Sequence, residues 1–309
     1  MVKMKLDEQI PALGAQLLDT NLPLSTRYRV LFTLKGIGGD EAVKAISAVF
    51  EDESELLKHE SAYVLGQMQN MLAVDTLKAI LRDQNQAPVV RHESGEALAA
   101  LGRFDLVDIL DEFAKDECVD VAETCEIGAK RLRHFHDPAN LFTKALPSVY
   151  SSVDPTPACD DAPVDELVAR MMNYELDLFD RYTALFALRN KGSDDSILAI
   201  CKGFADTTSV LFRHEIAYVL GQIQSSVSAP ALTVVLENAA EHPMVRHEAA
   251  EALGSVASPD VLKTLEAFKK DDKRIVAESC VVALDMYEYE NSGNFQYANG
   301  VETAQTVSA

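Results

Sequence analysis

The chain repeats itself, and that repeat constrains its fold more than any other feature. Residues 59–68 read HESAYVLGQM and residues 214–223 read HEIAYVLGQI, identical at eight of ten positions with an offset of 155. The same offset lays RHESGEAL at 91–98 on RHEAAEAL at 246–253, and VAETC at 121–125 on VAESC at 276–280. An offset of 154 pairs Arg27, Tyr28, Leu31 and Phe32 with Arg181, Tyr182, Leu185 and Phe186. The 309 residues are a tandem duplication with about one residue of insertion.

Each half divides again into units of about 30 to 35 residues. VVRHESGEALAALG spaces its apolar and small residues as a helix does and closes on Gly102, a C-cap signal, and DLVDILDEFAK follows as a second amphipathic stretch. LLKHESAYVLGQM with AVDTLKAIL and MVRHEAAEALGSV with DVLKTLEAF repeat that helix, short turn, helix plan. These first helices resemble the HEAT-like repeats of the phycobilin-lyase type. Units this short cannot bury their own apolar faces, so they must stack around a shared core. The expected fold is all-α, an α-solenoid of about eight HEAT-like helical hairpins in two duplicated halves, four per half.

Five of the eleven prolines (Pro138, Pro147, Pro155, Pro157 and Pro163) fall between the copies, with Ser151, Ser152 and several Asp. Such a stretch cannot sustain a helix and reads as a linker. The expected organisation is an N-terminal half at 1–136, a linker at 137–165, a C-terminal half at 166–290 and a polar tail at 291–309.

Composition narrows the function. With 49 acidic and 28 basic side chains the net charge is −21, so the chain has no excess of Lys and Arg with which to bind nucleic acid. Its five cysteines form no CxxC pair, which argues against a disulfide framework or a thiolate zinc site. No run approaches the ~18 apolar residues of a membrane span, and the charged, proline-bearing start MVKMKLDEQIPALG is no signal peptide. A cytoplasmic monomer is expected.

The strongest chemical signal is four His-Glu pairs: His59-Glu60, His92-Glu93, His214-Glu215 and His247-Glu248. Within each half the pairs are 33 residues apart, and each sits at the same place in its unit. Equivalent helices of neighbouring repeats stack ~8–10 Å apart, so matching side chains converge. A first-turn Glu by itself is ordinary helix electrostatics, and one His is an ordinary polar position. Neither explains His placed there four times, in the second and third units of each half only, where the first unit has Arg27-Tyr28 and Arg181-Tyr182. Four imidazoles and four carboxylates without a thiolate suit a binuclear centre of non-haem iron or manganese, with zinc as the competitor. Neither the Glu-x-x-His motif of ferritin-like bundles nor a His-Glu-x-x-His protease motif, P-loop or Gly-x-Ser-x-Gly is present.

The contexts H-E-x-A-Y-V-L-G-Q and V-R-H-E-x-x-E-A-L, in two four-repeat halves, resemble the deoxyhypusine hydroxylase family over nearly the whole chain. The resemblance implies a monooxygenase with two Fe(2+) per chain and dioxygen as co-substrate. It also implies an external reductant, with hydroxylation of deoxyhypusine in eukaryotic translation initiation factor 5A. By motif, His59, His92 and Glu93 would hold one iron and His214, His247 and Glu248 the other. Glu60 and Glu215 would face the cationic amine of the substrate, and which Glu of each pair ligates stays open. Gly66 and Met244 are further candidates for contact with substrate.

Around these, Glu96 and Glu251 lie one turn after His92 and His247, as acceptors for the imidazoles or as solvated acids. Tyr63 and Tyr218 stand in the same relation to His59 and His214, where core packing is the default. Gly66 and Gly221 serve close helix packing equally well. His134, His136 and His242, with no Glu following, are read as surface residues. The competing functions are a HEAT-like scaffold with a structural metal and a binuclear hydrolase.

Overall fold

A computed structural model describes residues 8–140 and 148–293. The expected tail lies outside the described residues beyond 293. Among the described residues there are sixteen α-helices and no strand, in an all-α solenoid. The first half contains α1 (Ile10–Leu18), α2 (Leu24–Ile37), α3 (Gly39–Ser47), α4 (Glu55–Gln67), α5 (Val74–Arg82), α6 (Pro88–Ala100), α7 (Val107–Phe113) and α8 (Val119–His136). The second contains α9 (Val164–Met171), α10 (Leu178–Lys191), α11 (Asp194–Cys201), α12 (Val210–Ile223), α13 (Ala229–Glu237), α14 (Pro243–Val256), α15 (Leu262–Phe268) and α16 (Arg274–Ser292). No helix among the described residues is long and apolar enough to cross a membrane.

Two layers account for the packing. The even-numbered helices stack on one another, α4 on α6 on α8 and α12 on α14 on α16, and odd-numbered helices pack outside them. The apolar stripe of α5 (Leu77, Ile80 and Leu81) is buried against α6, whose own apolar positions Val90 and Leu98 are sealed beneath it. The inner stack is close because small residues face it. A Cβ on Gly66 of α4 would lie 2.7 Å from Ala97 Cα of α6, and one on Gly254 of α14 would lie 2.7 Å from Ala283 Cα of α16.

A buried ionic clamp recurs in the first and third units of each half. Arg27, Arg91, Arg181 and Arg246 each donate Nε–H to a carbonyl ten residues earlier, at Leu17, Leu81, Met171 and Leu236, over 2.8 to 3.1 Å. Each guanidinium also pairs with an aspartate 25 residues later, at Asp52, Asp116, Asp206 and Asp271. One side chain thereby ties the end of an outer helix to the turn after the next one. Breaking such a buried pair leaves an uncompensated charge, at a cost of about 3–5 kcal/mol. Asp206→Ala, whose side chain is fully buried against Arg181, is expected to lower stability by that amount in a denaturant titration. A loss under ~1 kcal/mol would mean the pair is solvated as surface pairs are.

The halves meet along two seams related by the duplication. Ser54 caps α4, accepting from Leu57 N–H at 3.1 Å, and donates to Glu278 of α16 at 2.7 Å. Ser209 caps α12, accepting from Phe212 N–H at 2.9 Å, and donates to Glu123 of α8 at 2.6 Å. The hydroxyl that begins each of these two helices therefore also anchors it to the opposite half. Arg29 of α2 adds a paired contact to Asp285 of α16, at 2.7 and 2.9 Å.

The segment between the halves, where described, is a strap. Gln67 grips Val153 at both backbone groups, accepting from its N–H at 2.8 Å and donating to its carbonyl at 3.2 Å. The duplicated glutamine, Gln222, donates to Ser152 Oγ at 3.0 Å. Asp154 pairs with Arg189, while its carbonyl accepts from Arg131 Nε at 2.9 Å. The prolines preclude helix, as the composition requires, but side chains of both halves hold the strap at Ser152, Val153 and Asp154.

Candidate metal centre

All four His-Glu pairs come together. His59 and Glu60 project from α4, His92 and Glu93 from α6, His214 and Glu215 from α12, and His247 and Glu248 from α14. Each histidine is the fifth residue of its helix, and the stacking of α4 on α6 and α12 on α14 sets the spacing within each half. The ring centroids of His59 and His92 are 5.5 Å apart, and those of His214 and His247 are 5.4 Å apart. Across the halves, His59 lies 5.9 Å from His214 and 5.2 Å from His247, with His92 5.5 Å from His214. Four imidazoles from four helices thus form one cluster, with all eight residues less than a tenth exposed.

Three groups bring potential ligand atoms within 4.8 Å of one another: His214, His247 and Glu248; His59, His92 and His214; and His92, Glu93 and Glu96. The first lies within the second half. In the first half, His59 Nε2 is 3.3 Å from Glu93 Oε2, mirrored by His214 Nε2 at 3.4 Å from Glu248 Oε2. Neither approach has the direction of a hydrogen bond, since both ring nitrogens of His59 and of His214 are buried without a hydrogen-bond partner. His92 Nε2 and both nitrogens of His247 are in the same position. Buried donors and acceptors are rarely left unmatched, and seven unpartnered nitrogens on four clustered rings, at least one on each, suit a metal pair.

The charges agree. Burial holds the pKa of His59 low and those of His92 and His247 well below the usual histidine range, so these rings are neutral and their lone pairs available. The same burial pushes Glu60 up to about 7 and Glu93 and Glu96 up to about 8, and holds Glu215 and Glu251 well above the ordinary range. So many buried carboxylates are costly unless cations meet them. In the metal-free protein these glutamates bind protons that the unfolded chain, with its normal carboxylates, has already released. Below about 6.5 the buried neutral histidines, which the unfolded chain protonates, oppose this, so stability of that form must fall as pH rises from about 6.5 to about 8. Thermal melts of metal-free protein are expected to drop steadily across that window, and metal-loaded protein to lose the slope. A melt rising with pH in the metal-free form would contradict this.

The cluster opens into a cavity of about 760 Å³ lined by residues of both halves. Glu60, Glu93, Glu215 and Glu248 reach it, as do Glu96 and Glu251, which the spacing alone left undecided. Glu251 Oε1 accepts from Ser279 at 3.0 Å and lies 3.5 Å from His247 Nδ1, and its Oε2 accepts from Tyr28 OH at 3.4 Å, so hydroxyls and an imidazole stand around it. Tyr63 and Tyr218 touch across the halves, O to O at 3.1 Å. Gln222 donates to Tyr218 OH at 2.9 Å, and Tyr150 and Ser152 of the strap complete the wall. Of the other substrate candidates, Gly66 lies against Ala97 and Met244 is 3% exposed within α14, and neither lines the cavity. His242 is the N-cap of α14, and His134 and His136 lie at the far end of α8.

Comparison with known proteins decides what this centre belongs to. A family model for HEAT repeats matches residues 10–99, 46–126 and 212–285. Deoxyhypusine hydroxylase of Danio rerio is 49% identical over 302 residues, 97% of this chain and 99% of that protein. The Drosophila melanogaster enzyme of the same name is 50% identical over 295 residues, 95% and 96% of the two chains. The chain belongs to the deoxyhypusine hydroxylase family. The solved structure of human deoxyhypusine hydroxylase in complex with glycerol superimposes on it with a TM-score of 0.88 at 44% identity, covering 93% of this chain and 98% of the human one. Membership of the deoxyhypusine hydroxylase family makes the chain an oxidoreductase, not a scaffold.

Proposed function

We propose that this chain hydroxylates the deoxyhypusine side chain of eukaryotic translation initiation factor 5A, with two irons held between its halves, dioxygen as co-substrate and an external reductant. One observation carries the reading: four imidazoles, two from each half and each with at least one ring nitrogen left without a partner, cluster beside a cavity rimmed with carboxylates. His59, His92 and Glu93 would hold one iron and His214, His247 and Glu248 the other. Each ion then has two imidazoles and a carboxylate, the set that leaves positions open. The iron pair, when bound, supplies the activation of dioxygen that oxygen insertion into a C–H bond requires.

The chain's own residues do the rest. Glu60 and Glu215 accept the N–H groups of a long, polyamine-like ammonium chain, in a slot dry enough for charge-assisted bonds to be strong. Tyr63, Tyr218 and the strap form part of the cavity wall. Gln67 and Gln222 hold that wall in place from the two copies of one motif. The net charge of −21 favours approach of a basic protein loop. The second-order rate constant is therefore expected to fall as salt is added, as screened charges require; a rate independent of salt would argue against steering.

The direct test incubates iron-loaded protein and reductant with the deoxyhypusine form of the factor and follows the modified lysine by mass spectrometry. Gain of one oxygen is expected, and no gain with fully loaded protein would refute the assignment.

A further inference from the structure

The duplication places a cation at the same point in each half, and the two copies have different surroundings. Lys35 on α2 and Arg189 on α10 are related by the 154-residue offset that also relates Phe32 to Phe186. Lys35 Nζ lies 5.4 Å from the Phe32 ring centre and Arg189 Cζ lies 4.6 Å from that of Phe186. Arg189 is neutralised. Only 1% exposed, it donates to both carboxylate oxygens of Asp154, at 2.9 and 2.6 Å, and to Gln222 Oε1 at 2.7 Å. Asp154 belongs to the strap, which has no second copy. Lys35 has no carboxylate within ion-pair distance among the described residues. Its ammonium rests 5.1 Å from the centre of the Tyr63 ring and lines the cavity, where burial lowers its pKa and Glu60 opposes that shift.

The duplicated glutamates differ accordingly. Glu60 Oε2 lies 3.5 Å from Tyr28 OH, whose one hydrogen it shares with Glu251, and lies in the field of Lys35. Glu215 has neither companion. Tyr182, the copy of Tyr28, donates instead to the Leu211 carbonyl at 3.3 Å, and Glu215 Oε1 is buried with no hydrogen-bond partner. The strongest charges acting on Glu215 are acidic: Glu96, Asp154, Glu93 and Glu248. A cation entering the cavity thus finds an unsatisfied carboxylate among acids on one side, and a partnered carboxylate beside a fixed ammonium on the other.

We propose that Lys35 is a positioning residue that sets the polarity of binding: its charge repels a second cation from Glu60, so the terminal ammonium of the substrate side chain is received by Glu215. This rests on the amine substrate of the function proposed above. The near-twofold site would otherwise offer the ammonium two equivalent ends.

The test is a rescue. With iron-loaded protein and the deoxyhypusine-bearing factor, Glu215→Gln should raise KM far more than it lowers kcat. Adding Lys35→Met should recover at least about tenfold in kcat/KM, or ~1.4 kcal/mol, because the ammonium can then turn to Glu60. Lys35→Arg, which keeps the charge, should recover nothing in the Glu215→Gln background, and Lys35→Met should recover nothing in the Glu60→Gln background. A double variant no better than Glu215→Gln alone, equal rescue of Glu60→Gln, or a Glu215→Gln protein with normal KM would each overturn the proposal. An inactive wild type would overturn the function itself, whereas an active wild type without rescue overturns only the polarity.

Discussion

Replacing His214 by Ala is expected to abolish metal loading and turnover together while leaving helical content unchanged. His214 belongs to two of the three groups of potential ligands, meeting His59 and His92 from the other half and His247 and Glu248 from its own. Its loss therefore weakens the point at which the halves share the centre. Changes to residues that merely orient a metal ligand cost ten- to a hundredfold, so loss of a ligand at this junction should cost more than about a hundredfold. The fold should survive because neither ring nitrogen of His214 bonds to the protein; truncation orphans no partner. Metal analysis, circular dichroism and turnover on one preparation check this. Full turnover in the variant would remove His214 from the centre.

A second large effect is expected far from any ligand atom. Gly66→Val should reduce metal loading and cut activity by about a hundredfold, because a Cβ at that place would sit 2.7 Å from Ala97 Cα and 2.9 Å from Ala97 Cβ. Backbone cannot yield as a flexible side chain can, so α4 and α6 must separate, carrying His59 away from His92. Displacements of ~1 Å suffice for losses of that order, and overpacking of this kind costs about 1–3 kcal/mol in stability. The melting temperature and metal content should fall together. A variant that loads metal normally yet fails to bind the substrate would instead make Gly66 a substrate contact.

The convergence of the four His-Glu pairs was legible in the sequence because the duplication printed the pair four times. A single His-Glu dipeptide at a helix start carries almost no information, whereas four at matched repeat positions specify convergence before any coordinates are known. The hairpin count was legible for a similar reason, since unit length and apolar spacing determine how many helices stack. The Arg-to-Asp clamp was equally present in the sequence, as Arg27, Arg91, Arg181 and Arg246 each with Asp 25 residues on. It passes unnoticed because the partners lie in separate helical units.

Other features depend on tertiary placement. Lys35 and Arg189 read alike, as basic residues near the ends of two helices, and only the strap's Asp154 separates a neutralised cation from a cavity-facing one. The proline-rich segment reads as a spacer because proline excludes helix, while its anchoring by Gln67 and Gln222 depends on side chains more than 65 residues away in sequence. Glu96 and Glu251 could not be assigned from spacing, since position on a helix face does not say what stands opposite. The structure puts both on the cavity wall.

The central claim is that the two halves jointly hold two irons that hydroxylate the amine-bearing side chain. Iron content and oxygen gained by the deoxyhypusine-containing factor, measured on the same samples as metal is titrated into metal-free protein, test it most directly. The account predicts product formation that rises with loading and saturates at two irons per chain. Full hydroxylation by metal-free protein, or saturation below one iron per chain, would contradict it.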